Sequence, residues 1–290
     1  MSKKIRKVVF PVGGLGTRFL PATKSMPKEM LPVVNKPLIH HAFEEAKRAG
    51  LEQFIFIIGR NKNSINDHFD HSFELESFLD SKDKQDMLSL SRDCLIDPGN
   101  MIFIRQQSPL GLGHAVWCAR NVIGDEPFAV ILADDMFMNG KKSGILDDMI
   151  KYSQIDTTAN FIAISEVELI ESKKYGMVKI KENDIIEDMV EKPEIQNAPS
   201  KFAIVGRYIL QPDIFHYLEH TKKDKNGEIQ LTNAMKEMMS NQIFRAYNAS
   251  EARRLDCGSY LGYLEANIRF SLEHSEFAEG TKKILKEIIG

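Results

Sequence analysis

A glycine-rich segment directly follows the first apolar run of the chain. The apolar residues 8–10 lead into the sequence Pro-Val-Gly-Gly-Leu-Gly-Thr-Arg at positions 11–18. Three glycines within four positions let the backbone turn tightly and bring its N–H groups close to a planar or anionic ligand. A dinucleotide fingerprint is excluded because Phe19 stands where its last glycine is required, and no Walker A sequence occurs in the chain. The spacing favours a phosphate-binding loop of another kind, although glycines after a strand can also form an ordinary turn.

Basic side chains continue this segment. Positions 13–37 hold Arg18, Lys24, Lys28 and Lys36 against one acid, Glu29, in a chain of formal net charge −3. Prolines at 21, 27, 32 and 37 exclude a long helix, so we expect an extended loop that could wrap a polyphosphate. The alternative is that the glycines only turn the chain and that the lysines are solvated.

Two adjacent acids, Asp134 and Asp135, follow the most apolar predicted strand, residues 128–132. Ligands of α/β proteins bind at the carboxyl ends of the strands, so we expect these carboxylates at the ligand edge of the sheet. Carboxylate oxygens beside phosphates suit Mg²⁺, which takes one or two carboxylates together with phosphate oxygens and water. The pair therefore predicts a magnesium site, with capping of the following helix as the alternative.

Two further segments carry polar groups next to turns. Gln106 and Gly111 lie in a loop before a predicted helix, where a glutamine amide could read the edge of a base and a glycine would permit close stacking. His114, at the start of that helix, is expected to pack rather than to act as a base. Glu191 and Lys192 precede a proline, and a carboxylate and a cation there could hold vicinal sugar hydroxyls and a sugar phosphate. Either segment alone is also typical of an ordinary surface loop.

The sequences GGLGTR at 13–18 and PKEMLPV at 27–33 resemble the signature of the sugar-1-phosphate nucleotidylyltransferases. The likeness extends from about residue 7 to residue 266 and is weakest over 61–98. It implies Mg²⁺ as the cofactor and a nucleoside triphosphate and a sugar 1-phosphate as substrates. The site residues that it implies fall into four groups: the nucleotide-binding residues Val12, Gly13, Gly14, Gly16, Gln106 and Gly111, of which Gln106 and Gly111 contact the pyrimidine; the sugar-binding residues Gly176, Glu191 and Lys192; the metal ligands Asp134 and Asp256; and the catalytic residues Arg18, Lys28 and Lys192.

Two other segments, VGRY at 205–208 and GEIQLT at 227–232, resemble the branch of that family that uses UTP and glucose 1-phosphate. The likeness implies transfer of a uridylyl group to give UDP-glucose and pyrophosphate. Because the sugar phosphate is already an anion, it can attack the α-phosphorus directly, with Lys192 steering it and Arg18 and Lys28 stabilising the leaving pyrophosphate. A thymidylyltransferase acting on glucose 1-phosphate and a non-catalytic nucleotide-sugar sensor remain as alternatives. Two positions depart from the residues expected in this branch. Gly13 stands where Ala is expected, and Ala133 stands where Pro or Gly is expected.

The elements that would position these side chains alternate between short apolar runs and amphipathic stretches. Strands are predicted at 8–10, 54–58, 102–104 and 128–132, and a helix from Pro37 to Gly50. This order predicts an α/β fold with a Rossmann-like, mixed and mostly parallel sheet flanked by helices. After residue 158 strands follow in closer succession, at 161–164, 177–180, 185–190 and 203–210, which predicts an antiparallel, sugar-binding extension. We therefore expect one domain made of a nucleotide-binding half (1–158), a sugar-binding half (159–264) and a C-terminal helical arm (265–290), with a surface helical excursion at 61–98.

Composition limits the remaining possibilities. The chain has 290 residues with 38 Lys and Arg against 41 Asp and Glu, a balance that disfavours a nucleic-acid binder. Cys94, Cys118 and Cys257 are too widely spaced for a disulfide framework, and no apolar run approaches the ~18 to 20 residues of a membrane span. We expect a cytoplasmic protein without a membrane partner. The apolar spacing of residues 284, 285, 288 and 289 suits either the chain's own core or the interface of a homodimer or homotetramer, the states typical of the family.

Overall fold

The structure is a computed structural model that describes residues 4–140 and 142–290. Residues 1–3 and Lys141, which fall in the predicted nucleotide-binding half, lie outside the described residues. Within the described ranges the strands are β1 (Lys7–Val12), β2 (Pro32–Val33), β3 (Lys36–Pro37), β4 (Gln53–Ile58), β5 (Met101–Arg105), β6 (Phe128–Ile131), β7 (Asp135–Asn139), β8 (Lys142–Ser143), β9 (Asn160–Glu166), β10 (Gly176–Ile180), β11 (Ile186–Glu191), β12 (Phe202–Leu210), β13 (Phe244–Asn248) and β14 (Arg253–Asp256). In the same ranges the α-helices are α1 (Leu38–Arg48), α2 (Asn63–His68), α3 (Phe73–Ser81), α4 (Gln85–Ser91), α5 (Leu112–Cys118), α6 (Arg120–Ile123), α7 (Leu146–Tyr152), α8 (Ile214–His220), α9 (Leu231–Met238), α10 (Tyr260–Glu273) and α11 (Ala278–Ile289).

One large sheet organises the described part of the chain. Its strand order is β11-β10-β12-β6-β1-β4-β5, and β9 pairs with both β12 and β13. Strand β1 lies between β4 and β6 and runs parallel to both, and β5 runs parallel to β4. Strand β12 is antiparallel to β6, β9 and β10, and β10 is antiparallel to β11, whereas β13 is parallel to β9. The predicted α/β fold, with a parallel first half and an antiparallel extension of the same sheet, is confirmed.

Both faces of the sheet are covered. Val8 and Phe10 of β1 belong to a core cluster with Phe43 of α1, while Val9 belongs to the opposite cluster with Val116 of α5. Successive side chains of a strand point to opposite faces, so the uninterrupted apolar sequence of β1 requires helices on both sides. Because β1, β4, β5 and β6 are parallel, their carboxyl ends lie at the same edge of the sheet.

A buried ion pair joins α1 to the antiparallel extension. Arg207 of β12 donates to Glu45 of α1, with 2.7 Å between Nη2 and Oε2, and both side chains are buried. Glu45 also accepts the backbone N–H groups of Ile145 and Leu146 at 2.9 and 3.1 Å. Burial raises the pKa of Glu45, but Arg207 and these N–H groups outweigh burial and hold the pKa below its ordinary value. The two halves of the sheet are therefore tied together by a satisfied polar contact inside the core.

The segment 13–37 is not the extended loop that its prolines predicted. Short 3₁₀ helices occupy Thr17–Phe19, Ala22–Lys24 and Lys28–Met30, and the β2–β3 hairpin follows them. Pro21 and Pro27 precede the second and third of these turns, with φ of −86° and −56°. The restricted φ of proline allows a tight turn while blocking a longer helix, so the prolines divide the segment into turns instead of extending it.

The predicted surface excursion at 61–98 is helical and contains α2, α3 and α4. It is anchored at its start, where Lys62 donates to Glu29 at 2.7 Å and both side chains are buried. Since Glu29 belongs to the 3₁₀ helix Lys28–Met30, this ion pair connects the excursion to the basic segment.

The C-terminal helices begin earlier than predicted, because α10 starts at Tyr260 rather than near residue 265. Helix α11 exposes Ile284, Ile288 and Ile289 by 56%, 74% and 80%, so these side chains are not part of the chain's own core. Across residues 4–140 and 142–290, every helix is too short or too polar to cross a membrane.

Candidate active site

A cavity of about 750 Å³ lies beyond the carboxyl ends of β1 and β6. Its far side is formed by residues of β10, β11 and β14, so the two halves of the chain face each other across it. Of the thirteen predicted site residues, nine line this cavity: Gly14, Gly16, Arg18, Lys28, Asp134, Gly176, Glu191, Lys192 and Asp256. The other four, Val12, Gly13, Gln106 and Gly111, lie outside its lining.

The glycine-rich loop approaches Lys28 closely. Gly16 has a φ of 68°, in the left-handed region, and a Cβ there would lie 3.3 Å from the Cβ atoms of Lys28 and Thr23. The Thr23 hydroxyl donates to the Gly16 carbonyl at 2.6 Å, which holds the loop against the second 3₁₀ turn. Both the backbone angle and the close packing favour glycine at position 16. Of the other basic residues of this segment, Lys24 does not line the cavity and Lys36 pairs with Glu44 outside it.

Lys28 pairs with Asp134 across the cavity. The Lys28 ammonium donates to Asp134 Oδ2. Burial lowers the pKa of Lys28, but Asp134 and Glu29 outweigh burial and raise it, so the ammonium stays charged. Burial likewise raises the pKa of Asp134, and Lys28 reverses that effect and keeps the carboxyl ionised. The cavity therefore contains an ion pair in which both groups are charged.

Three charged groups converge beside Gly258. A Cβ on Gly258 would lie 3.0 Å from Asp256 Oδ1, 3.4 Å from Asp134 Oδ2 and 3.4 Å from Arg18 Nη1. The absence of a side chain at position 258 leaves a cradle between two carboxylates that are far apart in sequence. Hard oxygen donors around such a space suit a divalent cation such as Mg²⁺. The residues present therefore fit the predicted metal site.

A second layer of contacts, which the sequence did not reveal, supports Asp256. Tyr175 donates to Asp256 Oδ2 at 3.3 Å, and the Arg254 guanidinium lies 4.5 Å from the centre of the Tyr175 ring. Arg254 also donates to Asp135 Oδ1 at 2.6 Å, so Asp135 pairs with arginine and does not cap a helix. Burial raises the pKa of Asp135 despite this partner. The sequence spacing could have indicated Arg254, because it lies two residues before Asp256 and residues two apart on a strand share a face.

The sugar-binding residues predicted from the family resemblance lie on the antiparallel side of the cavity. Thr232 donates to Glu191 Oε2 at 2.6 Å, and Lys192 Nζ lies 3.4 Å from Glu191 Oε1. A Cβ on Gly176 would lie 3.2 Å from Glu191 Oε2 and 3.0 Å from the Ile204 methyl group, so a larger residue there would fill the space beside the carboxylate. Lys192 has a φ of 44°, which is an unfavourable backbone angle for a residue with a Cβ. Its side chain lines the cavity wall.

The predicted base-reading residues form a compact group next to the cavity. Gln106 donates through Nε2 to the Gly111 carbonyl at 3.1 Å. Gly111 has a φ of 91°, and a Cβ there would lie 2.8 Å from the Cβ of Glu228, so this position requires glycine. A Cβ on Gly13 would lie 2.8 Å from Gln106 Oε1. Val12 has its side chain in the core, which leaves its backbone for any contact with a ligand.

Within residues 4–140 and 142–290, a further group of side chains could hold a cation. Ligand atoms of His40, Glu44 and Asp93 lie within 4.8 Å of one another, outside the cavity lining. The Lys36 ammonium already pairs with Glu44 and lies 3.4 Å from Asp93, so this group is balanced by a lysine.

The cysteines do not contribute a nucleophile to the cavity. Cys257 is buried next to Asp256, and burial followed by the neighbouring acids raises the pKa of its thiol. A thiol held protonated is a poor nucleophile, which agrees with the prediction of a small buried residue.

The parallel sheet with a glycine-rich basic loop and acids at its carboxyl edge defines a nucleotidyltransferase. The chain belongs to the nucleotidyl transferase family, whose model matches residues 7–271. Enzymes of this family generally use a divalent metal ion.

The proteins most informative about this chain are named for one reaction within that family. UTP–glucose-1-phosphate uridylyltransferase 1 of Staphylococcus saprophyticus is 44% identical, over 98% of this chain and 99% of that protein. The UTP-bound UGPase of Acinetobacter baumannii superposes with a TM-score of 0.89 at 39% identity, covering 98% of this chain and 99% of that one. A UDP-glucose pyrophosphorylase complexed with UDP-glucose gives a TM-score of 0.83 at 42% identity, covering 93% and 100%. The likeness thus spans the whole cavity and both halves of the chain.

Proposed function

We propose that this chain transfers a uridylyl group from UTP to glucose 1-phosphate, releasing UDP-glucose and pyrophosphate. Its relatives over nearly the full chain are uridylyltransferases, and the solved structures similar to it include a UTP complex and a UDP-glucose complex. One observation carries the proposal: a single cavity contains both the basic glycine-rich loop and the Glu191–Lys192 pair, so a triphosphate and a sugar phosphate fit side by side.

The reaction needs no general base. Glucose 1-phosphate is an anion at neutral pH, so its phosphate oxygen can attack the α-phosphorus of UTP as the bond to pyrophosphate breaks. Lys192, with an exposed ammonium at the cavity wall, holds and directs the attacking phosphate. Arg18 and Lys28, on the opposite side, stabilise the negative charge of the leaving pyrophosphate.

Asp134 and Asp256 are the residues that would hold Mg²⁺. When bound, the ion supplies charge neutralisation to the phosphate oxygens. If Asp134 held the ion, the Lys28 ammonium that now pairs with Asp134 would be available to contact a phosphate oxygen of the leaving group.

Glu191 is suited to accept hydrogen bonds from two vicinal sugar hydroxyls, with Gly176 leaving room for the ring. Thr232 fixes the orientation of the carboxylate by donating to one of its oxygens. On the nucleotide side, Val12, Gly13, Gly14 and Gly16 present backbone groups to the nucleotide, and Gln106 and Gly111 contact the pyrimidine.

The exposed apolar face of α11 further supports a homodimer or homotetramer. Ile284, Ile288 and Ile289 are solvent-exposed in the single chain, and association would cover them. Light scattering of wild type and of a triple serine variant of these residues tests this: a monomeric wild type would contradict it.

The activity is tested by measuring pyrophosphate release with glucose 1-phosphate, Mg²⁺ and each nucleoside triphosphate in turn. We expect turnover with UTP. A preference for dTTP would identify a thymidylyltransferase instead, and no release with any triphosphate would indicate a binding protein.

A matched pair of variants tests the role of the loop. Arg18→Ala should lower kcat by about 10² to 10³, the usual effect of removing one preorganised charge-stabilising group. Lys24→Ala removes a cation from the same segment but outside the cavity, so it should leave kcat unchanged. Equal effects of the two substitutions would remove Arg18 from its proposed role.

A further inference from the structure

The side-chain amide of Gln106 is held in one orientation. Its nitrogen lies 3.1 Å from the Gly111 carbonyl and 3.0 Å from His114 Nδ1. A carbonyl can only accept, so the atom of Gln106 that faces Gly111 must be the amide nitrogen. Its second proton then points to His114, and the imidazole must accept it at Nδ1 and carry its own proton on Nε2.

The surroundings of His114 favour this state. Burial lowers the pKa of His114, and the nearby cations Lys223 and Arg120 lower it further, so the ring is neutral and can accept. The imidazole stacks on Trp117 with 5.8 Å between ring centres and 28° between ring planes. The Arg120 guanidinium covers the indole at 3.4 Å. The acceptor is therefore fixed by packing.

With both amide protons engaged, the carboxamide oxygen of Gln106 is the atom left for a ligand. That oxygen lies 2.8 Å from the point that a Cβ on Gly13 would occupy, so the glycine at position 13 makes room for it. The amide nitrogen has no proton left to offer a base.

We propose that His114 is a positioning residue for base selection, which fixes Gln106 so that it presents only an acceptor to the pyrimidine. The inference rests on the proposed function, in which Gln106 contacts the base. Uracil carries a donor, N3–H, on the edge that Gln106 would read, whereas N3 of cytosine is an acceptor. An oxygen facing N3 therefore attracts uracil and repels cytosine. Thymine has the same N3–H, so this device selects against CTP and does not distinguish UTP from dTTP.

The experiment measures kcat/KM for UTP, CTP and dTTP with glucose 1-phosphate in wild type, His114→Leu and His114→Asn. Leucine removes one of the two acceptors that hold the amide nitrogen and leaves only the Gly111 carbonyl to oppose a turn of the amide toward cytosine, so the UTP-to-CTP ratio should fall by about tenfold. Asparagine keeps an acceptor oxygen near the position of Nδ1 and should retain most of the ratio. The UTP-to-dTTP ratio should not change in either variant, which separates base selection from a general loss of activity.

A double-mutant cycle tests whether His114 acts through Gln106. Gln106→Ala should lower the UTP-to-CTP ratio, and adding His114→Leu should lower it no further. An additive effect, or a His114→Leu enzyme with an unchanged ratio, would overturn the proposal. If wild type releases no pyrophosphate from UTP, the proposed function itself fails.

A measurement on wild type keeps the inference testable even if the leucine variant does not fold. Nitrogen NMR of histidine-labelled protein, with the His114 signals assigned through the asparagine variant, should show a neutral ring protonated at Nε2. A ring protonated at Nδ1 would contradict the proposed hydrogen bond.

Discussion

Gly258 provides a direct way to perturb the space where the charged groups meet. Replacing it with alanine would place a methyl carbon 3.0 Å from Asp256 Oδ1 and 3.4 Å from both Asp134 Oδ2 and Arg18 Nη1. The first distance is shorter than an ordinary van der Waals contact, so the carboxylate must move, and the space between the two acids is filled.

The expected effect is a selective loss of turnover. Gly258 does not have a positive φ, so alanine introduces no backbone strain there and the fold should be retained. Losing one preorganised charge-stabilising contact costs about 10² to 10³ in kcat, and a methyl group that displaces the Asp256 carboxylate and fills the space between the two acids should cause a loss in that range.

The assay is pyrophosphate release at saturating UTP and glucose 1-phosphate over a series of Mg²⁺ concentrations, with thermal unfolding as a check on the fold. Gly280→Ala is the matched control, since this glycine lies inside α11 and a Cβ there meets no atom within 4 Å. The control should keep full activity and gain about 0.4 to 1 kcal/mol of stability. A Gly258→Ala enzyme with kcat within threefold of wild type would refute the convergence of these groups on the reacting phosphates.

Three further predictions follow from the ion pairs. Lys28→Met removes the ammonium from the Asp134 carboxylate, so the nucleotide-free protein should bind Mn²⁺ about tenfold more tightly, and kcat should fall. The Mn²⁺ affinity is measured by electron paramagnetic resonance titration, and an unchanged affinity would contradict the pairing. The hydrogen bond from Arg6 lowers the pKa of Glu126 from 4.5 to about 2, and burial opposes this effect only in part. The ionised carboxylate therefore stabilises the fold above pH 4.5, and this stabilisation is lost as the pH falls toward 2. Glu126→Gln should therefore lower Tm by about 2 °C at pH 7 and by less at pH 3, and an equal shift at both pH values would refute this. Arg207→Leu leaves the buried carboxylate of Glu45 unpaired and should cost about 3 to 5 kcal/mol in denaturant unfolding, whereas a loss below about 1 kcal/mol would show that the pair is not needed.

Local pattern was sufficient for the residues that strand ends position. Asp134 follows an apolar strand, and the carboxyl edge of a parallel sheet is where such a residue must lie. The glycines and Arg18 follow β1 for the same reason. These positions depend on one strand and the residues next to it, which a sequence displays directly.

Long-range pairing was not visible in the same way. Asp256 reaches the site because β14 pairs antiparallel with β7, which sets Asp256 opposite Asp135. Nothing in the sequence around either residue indicates that pairing, so Asp256 was assigned only through resemblance to a family. Arg254 was missed for the same reason, since its partner Asp135 is distant in sequence.

Charge counting in the basic segment was too simple. The count over 13–37 includes Lys24 and Lys36 beside Arg18 and Lys28, and of these four only Arg18 and Lys28 line the cavity. Lys36 faces Glu44 of the neighbouring helix, and Lys24 lies outside the cavity. Which cation faces the ligand depends on the direction of each turn, and composition does not contain that information.

The most direct measurement is a crystal structure of the protein with UTP and Mn²⁺, with the ion located by its anomalous signal. We predict the ion between Asp134 and Asp256, with the triphosphate contacting Arg18 and Lys28. An ion bound by His40, Glu44 and Asp93, or a triphosphate away from both basic residues, would contradict the account.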